Sequence, residues 1–526
     1  MKKYLIKIKF LVLALVLVFN SCDLDINDNP NSATGSVITP DLILPVVVAT
    51  TIYDQIAYYG YSTSAYIVGY QTPGDGISGF GDVYTYNFTA SFATGAWIYT
   101  FGELRDYNTI IKKSEADPSY AIFGAIAHVL KVYDYQLLVD YYGDVPYTEG
   151  LSGGAGIISP VYDKAEDVYK YLVTELNTAI TQFKDNAGKI GAGVIAPNSI
   201  SDPVFAGNIT KWIQFANNIK LRLLTRARGT AINDFVTEEF QKFSAEGFLK
   251  DDVLVNPGYN ASNSQNPYWT IYHSAVSGTI TQPANYFIPT IYVLTFYDGT
   301  KLDDSVRGEL VYKDFPDTPG WQLGNELGRP RSPRYIWEVP DSKGIFKSRA
   351  AAAPLAFASE VYFLLAEAAL NGNVLDGDVK TNFEKGIVAS FDFLSRAGAS
   401  YTLPAGVNPE SDVQDYIANN AGNYLADFDA ATTDEQKLEA IITQKYIAFN
   451  ILYSHEAWNE FRRTGYPKIS GTAPSTTFVS PYSQSERTDK LPIRLIYPQT
   501  EINLNANTPR IVNAYSSPVF WVKDKN

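Results

Sequence analysis

IITQKYIAFNILYSHEAWNEFRRTGYP, residues 441–467, keeps the apolar spacing of a helix and ends in a helix stop. The spacing predicts one helix from Asp434 to Arg463. Thr433 just before it and Gln436 in its first turn stand in capping-box spacing, so their side chains can take up backbone N–H groups that a first turn leaves free. Gly465 offers the left-handed residue that closes a helix, and Pro467 just beyond blocks continuation. Trp458 and Arg462 are one turn apart, so a guanidinium can lie on an indole face. Glu460 precedes Arg463 by three residues, an ordinary ion-pair spacing. Glu456, Trp458, Glu460, Arg462 and Arg463 therefore read as scaffold rather than as a ligand site.

The same periodicity recurs upstream. Helices are expected over Ala49 to Ile67, Tyr120 to Tyr141, Tyr162 to Phe183 and Ile209 to Gly229. Trp97, Phe101, Leu104, Tyr107 and Ile111 fall on one face of another. Ala356 to Ala369 and Thr381 to Ala397 add two more. Between them lie irregular stretches: 71–95, 185–208, 255–290 and the proline-punctuated 297–345. The helices come in pairs joined by short turns, in blocks at about 41–230 and 350–465. A loop-rich part occupies about 231–349. The fold class is mostly α, a tetratricopeptide-like helix-pair scaffold with long loop-rich inserts. The strict Trp-x2-Leu-Gly-x2-Tyr repeat consensus is absent.

Composition narrows the function. The chain has 526 residues, 42 Lys+Arg against 56 Asp+Glu, and a net charge of −14. That balance argues against nucleic acid as partner, because phosphate binding needs a basic patch. Tyr (38), Phe (28) and Trp (7) make up 14% of the chain, with the amphipathic rings that suit both a core and a wet contact surface.

Lys2, Lys3, Lys7 and Lys9 precede an apolar run from Phe10 to Phe19, too short to span a bilayer and of signal-peptide length. Cys22, the only cysteine, follows at the position of a bacterial lipoprotein cleavage site. Residues 1–21 are thus expected to be a lipoprotein signal peptide, with lipid on Cys22 and an acidic tether over 22–40. Anchoring would be by lipid, without a spanning helix.

Catalytic signatures are few. His128, His273 and His455 are isolated and form no zinc-type pair. GDGISG, residues 74–79, matches a dinucleotide pattern by spelling only, since it follows no strand and opens no helix. No metal site, cofactor or catalytic residue is expected. A glycosidase would need two carboxyls about 5–10 Å apart. Glu360 with Glu367, and Glu456 with Glu460, share helix faces but stand where structural ion pairs are common.

Sugar rings pack their C–H faces on aromatic side chains and need polar neighbours for their hydroxyls. Tyr268 and Trp269 lie in SNSQNPYWTIY beside Asn266. Trp321 lies in DTPGWQLGNELGR with Asn325 and Arg329. Tyr70 and Asp75 lie in the glycine-rich loop, and Trp97 begins the helix after it, on an apolar face that also suits packing. These nine residues are the candidate ligand contacts.

Four segments resemble one family. Tyr142-Gly143-Asp144-Val145-Pro146-Tyr147 looks like its Gly-Asp-Val-Pro-Tyr turn. Ser359 to Ala368 resembles its Glu-x-Tyr-Leu-x-x-Ala-Glu-Ala helix. Residues 441–467 match its Gln-Lys-x-x-Ala, Glu-Ala-Trp and Arg-Arg-Thr-Gly-Tyr-Pro elements. Arg494-x-x-Tyr497-Pro498-x-x-Glu501-x-x-x-Asn505 is similar to its closing motif. The family is SusD/RagB, outer-membrane nutrient-binding lipoproteins. The resemblance implies a single helical domain over 41–526, an α–α superhelix with a loop-rich ligand part. It implies a cell-surface glycan-binding lipoprotein that caps a SusC-type TonB-dependent transporter and delivers ligand for import. An oligopeptide-binding lid on the same fold and a surface glycoside hydrolase are the alternatives.

Overall fold

Apolar faces at helical spacing set the long helices side by side. The computed structural model describes residues 38–188, 201–510 and 512–523. The signal peptide, Cys22 and all but the end of the tether lie outside them. Helix α1 (Pro40–Asp54) opens on a proline, which needs no N–H partner there. It runs on into a π-helical stretch, Gln55–Ser64. The Thr63 and Ser64 hydroxyls donate to the carbonyls five residues back, Tyr58 (2.9 Å) and Tyr59 (2.6 Å). A two-residue strand, β1 (Thr72–Pro73), follows.

Helices α2 (Gly95–Ala116), α3 (Ala121–Tyr142), α4 (Ala165–Asn186) and α5 (Ile209–Ala227) then pack each against the next. The α2–α3 turn is closed by Asp117, whose carboxylate accepts from Ser119 N at 3.0 Å. α3 is apolar enough by composition to cross a membrane, yet 83% of its most apolar window is buried by neighbouring helices.

The middle of the chain is loop-rich, with strand β2 (Val253–Val255), short helices α6 (Pro267–Tyr272) and α7 (Gln282–Tyr286), strand β3 (Phe287–Ile288) and helix α8 (Ser305–Val311). Strand β4 (Ala353–Ala356) leads back to helices. β1 pairs antiparallel with β3, Thr72 opposite Ile288, and β2 with β4.

The second block holds α9 (Ala358–Leu370), α10 (Val379–Ser395), α11 (Pro409–Asn419), α12 (Asp434–Ala448) and α13 (Ser454–Thr464). The capping box at Thr433 and Gln436 is formed, and Gly465 closes α13 at φ 83°. The expected single helix from Asp434 to Arg463 is two helices. Between them Ile451 sits at φ 63°, which a continuous helix excludes. The break is held by Asn450, whose amide donates to the Tyr297 (3.0 Å) and Tyr312 (2.7 Å) hydroxyls. Trp458 and Arg462 still lie on one helix, with the guanidinium 3.9 Å from an indole ring centre.

Buried ion pairs join the two blocks. Arg222 on α5 grips Glu360 on α9 in a two-pronged contact of 2.8 and 2.6 Å. Arg226 meets Asp140 on α3 and Glu456 on α13. Within the second block, Arg463 grips Glu367 at 2.6 and 2.7 Å and also pairs with Glu460. Burial alone would raise the Glu456 carboxyl, but Arg226 and Arg222 hold it well below the usual range. All four carboxylates weighed for catalysis are thus buried and ion-paired, and the motif helices serve as scaffold.

Candidate ligand-binding face

Pairing of β1 with β3 brings the glycine-rich loop against the middle of the chain. Gly74 N donates to Tyr286 O at 2.8 Å, and Asp75 N to Pro330 O at 2.9 Å. A Cβ on Gly74 would stand 2.7 Å from Tyr286 O and 2.9 Å from Pro330 O, so only glycine lets three segments meet there. Arg329 clamps the same loop, donating to Tyr84 Oη at 2.8 Å and to Ile77 O at 3.1 Å. Trp321 joins the sheet edge through Pro289 and Ile291, each backbone bond 3.1 Å. Its indole N–H donates to Asn325 O at 2.8 Å, and the ring is half-buried beside Gly328. Asp75 is exposed. Asp75, far from them in sequence, is therefore stitched into one surface with Trp321, Asn325 and Arg329.

A second aromatic group adjoins it. Tyr335 N donates to Ala284 O at 2.8 Å, which fixes Tyr335 to α7. Its ring stacks on His273 with centres 4.3 Å apart, and His273 stacks on Trp269 at 4.0 Å. Trp269 and Tyr335 are both half-buried. Ser274 Oγ accepts from the Trp269 indole at 3.1 Å, and the Arg349 guanidinium lies 5.5 Å from its ring centre. Burial lowers the His273 pKa, against the opposing pull of Glu338. A neutral imidazole thus sits between two rings.

Four candidate contacts point elsewhere. Tyr268 is 2% exposed and its hydroxyl donates to Leu452 O, so it is part of the core. Asn266 is buried as the cap of α6, accepting from Tyr268 N at 2.8 Å while its amide donates to Ala351 O and Ala352 O at 3.0 Å. Its contribution to the face is to orient Trp269. Tyr70 is fully buried and donates to Tyr446 O at 2.6 Å. Trp97 packs against Phe101, Tyr142 and Tyr497 inside the α2–α3 layer.

A family model described as starch-binding associating with outer membrane matches residues 30–292. A second, described as Susd and RagB outer membrane lipoprotein, matches residues 342–517. The chain belongs to the SusD/RagB family. Solved SusD homologues share the fold. One from Bacteroides uniformis has a TM-score of 0.68 at 22% identity, over 92% of this chain and 99% of that one. One from Bacteroides fragilis gives 0.67 at 18%, over 92% and 100%. A chitin-binding homologue from Flavobacterium johnsoniae gives 0.66 at 22%, over 92% and 97%. No curated protein sequence matches.

On this SusD-like scaffold His273, Tyr335 and Arg349 complete the aromatic group without having been candidates. His273 was within reach of sequence, four residues after Trp269 and one turn on. Tyr335 was not, because its stacking depends on a long-range loop pairing. Among the described residues no group of three or more His, Cys, Asp or Glu is placed to hold a metal. Cavities of about 600 and 620 Å³ adjoin each other at Glu435, Thr464, Tyr466 and Lys523, and the first reaches Gln322 beside Trp321. Cavities hold small ligands; a polymer needs an open face such as the aromatic one.

Proposed function

We propose that this chain is a cell-surface lipoprotein of the outer membrane that binds a glycan on the face carrying Trp321 and the Trp269–His273–Tyr335 stack. It would cap a SusC-type TonB-dependent transporter and hand the glycan on for import. The observation that carries the reading is the ring stack itself: half-buried aromatic faces held rigidly among loops with polar groups around them. Rings fixed in advance lose little entropy when a sugar packs on them. The family descriptions and the chitin-binding homologue support a glycan as ligand. Scaffold ion pairs occupy Glu360, Glu367, Glu456 and Glu460, which removes the basis for a glycosidase built on them.

The test is an affinity screen of the lipid-free chain against plant, fungal, bacterial and host glycans, with a peptide digest and product analysis in parallel. Glycan binding without cleaved products is expected. Peptide binding with silence on every glycan would move the function to peptide import on the same fold, and released sugars would make the protein an enzyme.

A further inference from the structure

Four arginines stand on or beside the aromatic face without a carboxylate partner. Arg329, Arg331 and Arg334 belong to the segment RPRSPRY, residues 329–335, and Arg349 lies against Trp269. Among the described residues none of these guanidiniums comes within 4.0 Å of a carboxylate. Elsewhere Arg222, Arg226, Arg307 and Arg463 are each ion-paired, while Arg228, Arg462, Arg494 and Arg510 meet no carboxylate among the described residues and donate to backbone carbonyls instead. In a chain of net charge −14 carboxylates are abundant, so arginines left open on one face call for a reason. Asp75, Glu326 and Glu338 are near in the fold or the sequence, yet none closes on them.

The segment is fixed in place. Pro330 O accepts from Asp75 N at 2.9 Å, Ser332 Oγ from Arg334 N at 3.2 Å, and Ala284 O from Tyr335 N at 2.8 Å. Arg334 and Tyr335 both adopt left-handed backbone, φ 62° and 52°, an arrangement that costs energy in non-glycine residues. At this kink Arg334 is exposed while Tyr335 turns back onto His273. Arg331 is exposed as well. One end of the segment adjoins Gly328, beside the Trp321 ring, and the other end is Tyr335 in the ring stack. Tyr335 comes seven steps along the chain from Gly328, so the two lie at most roughly 24 Å apart. Open guanidiniums therefore stand between two aromatic platforms.

Resting on the glycan-binding reading, we propose that the ligand is an acidic oligosaccharide whose sugar units carry carboxylates. The Trp321 ring and the Trp269 stack take its apolar sugar faces. Arg331 and Arg334 meet its carboxylates, which the planar guanidinium fork suits better than any neutral hydroxyl. Arg329, bonded to Tyr84 and Ile77, is a positioning residue for the loop.

The experiment is calorimetry on the lipid-free chain with three kinds of probe. They are galacturonate, mannuronate and glucuronate oligomers, the methyl esters of these, and neutral chito- and malto-oligosaccharides. Each is measured at about 50 mM and about 500 mM salt. Binding to a uronate oligomer is expected, weaker on the order of tenfold as the ester. High salt weakens it too. Arg331→Gln and Arg334→Gln should each lose on the order of tenfold in affinity with an unchanged melting temperature, since both side chains are exposed. Equal binding of acid and ester, or a preference for a neutral glycan with both variants silent, overturns the acidic ligand and leaves the glycan reading standing. Binding confined to an acidic peptide digest, or silence on every glycan, overturns both.

Discussion

Tyr268 and Trp269 are neighbours in sequence and opposites in the fold. Asn266 decides which is which: its carboxamide caps α6 and fixes the rotation of that helix, so Tyr268 goes in and Trp269 comes out. Trp269→Ala should weaken glycan binding by about 2 kcal/mol, the scale of an anchoring aromatic, while the melting temperature moves little. Tyr268→Phe should do the reverse, losing about 1 kcal/mol of stability with its hydrogen bond to Leu452 and leaving affinity unchanged. Calorimetry and thermal unfolding on the two variants separate the roles. Gly74→Ala adds a methyl where two carbonyls stand within 3 Å. Its expected effect is a displaced loop 74–81 and a larger loss in affinity than in melting temperature.

Among elements, periodicity made most helices legible, because a buried face imposes the same spacing wherever it occurs. It overran the α12–α13 break because apolar residues continue through it. Asn450, bonded to two tyrosines over 100 residues upstream, and Leu452, whose carbonyl accepts from Tyr268, hold the break. Loop contacts were illegible for the same reason: Tyr335 on His273, or Gly74 on Tyr286, follow from the β1–β3 pairing of two-residue strands too short to read. The buried ion pairs were half legible, since Glu360, Glu367 and Glu456 could be assigned to arginines but not to particular ones. Arg222→Ala would leave Glu360 buried and unpaired between α5 and α9. A loss of about 3–5 kcal/mol is expected by denaturant unfolding. The double variant Arg222→Met with Glu360→Leu should recover much of it.

The whole molecule carries two opposed pH limbs. Burial raises the Asp54 carboxyl to about 6 and pushes Glu103 and Asp134 up beside it on α1, α2 and α3, with no cation among them to compensate. Protons held in the fold but released on unfolding make stability fall as pH rises from the ordinary 3.8 through 6. Glu456, Glu460 and Glu175 are held low by their cationic partners despite burial, so their stabilising share is lost as pH falls below the ordinary 4.5. The melting temperature should therefore peak in weak acid and decline toward neutrality. Glu103→Gln, which keeps the shape without the proton, should raise the melting temperature at neutral pH and flatten that decline. An unchanged slope would contradict the assignment.

On the proposed reading a rigid aromatic face, not a cavity, takes the ligand. The most direct measurement is the affinity of one bound glycan for the native chain, for Trp269→Ala with Trp321→Ala, and for Tyr466→Ala on the rim shared by the two adjoining cavities. Binding is expected to collapse in the tryptophan double variant and to persist in Tyr466→Ala. Binding that survives loss of both tryptophans and fails with Tyr466 would contradict it.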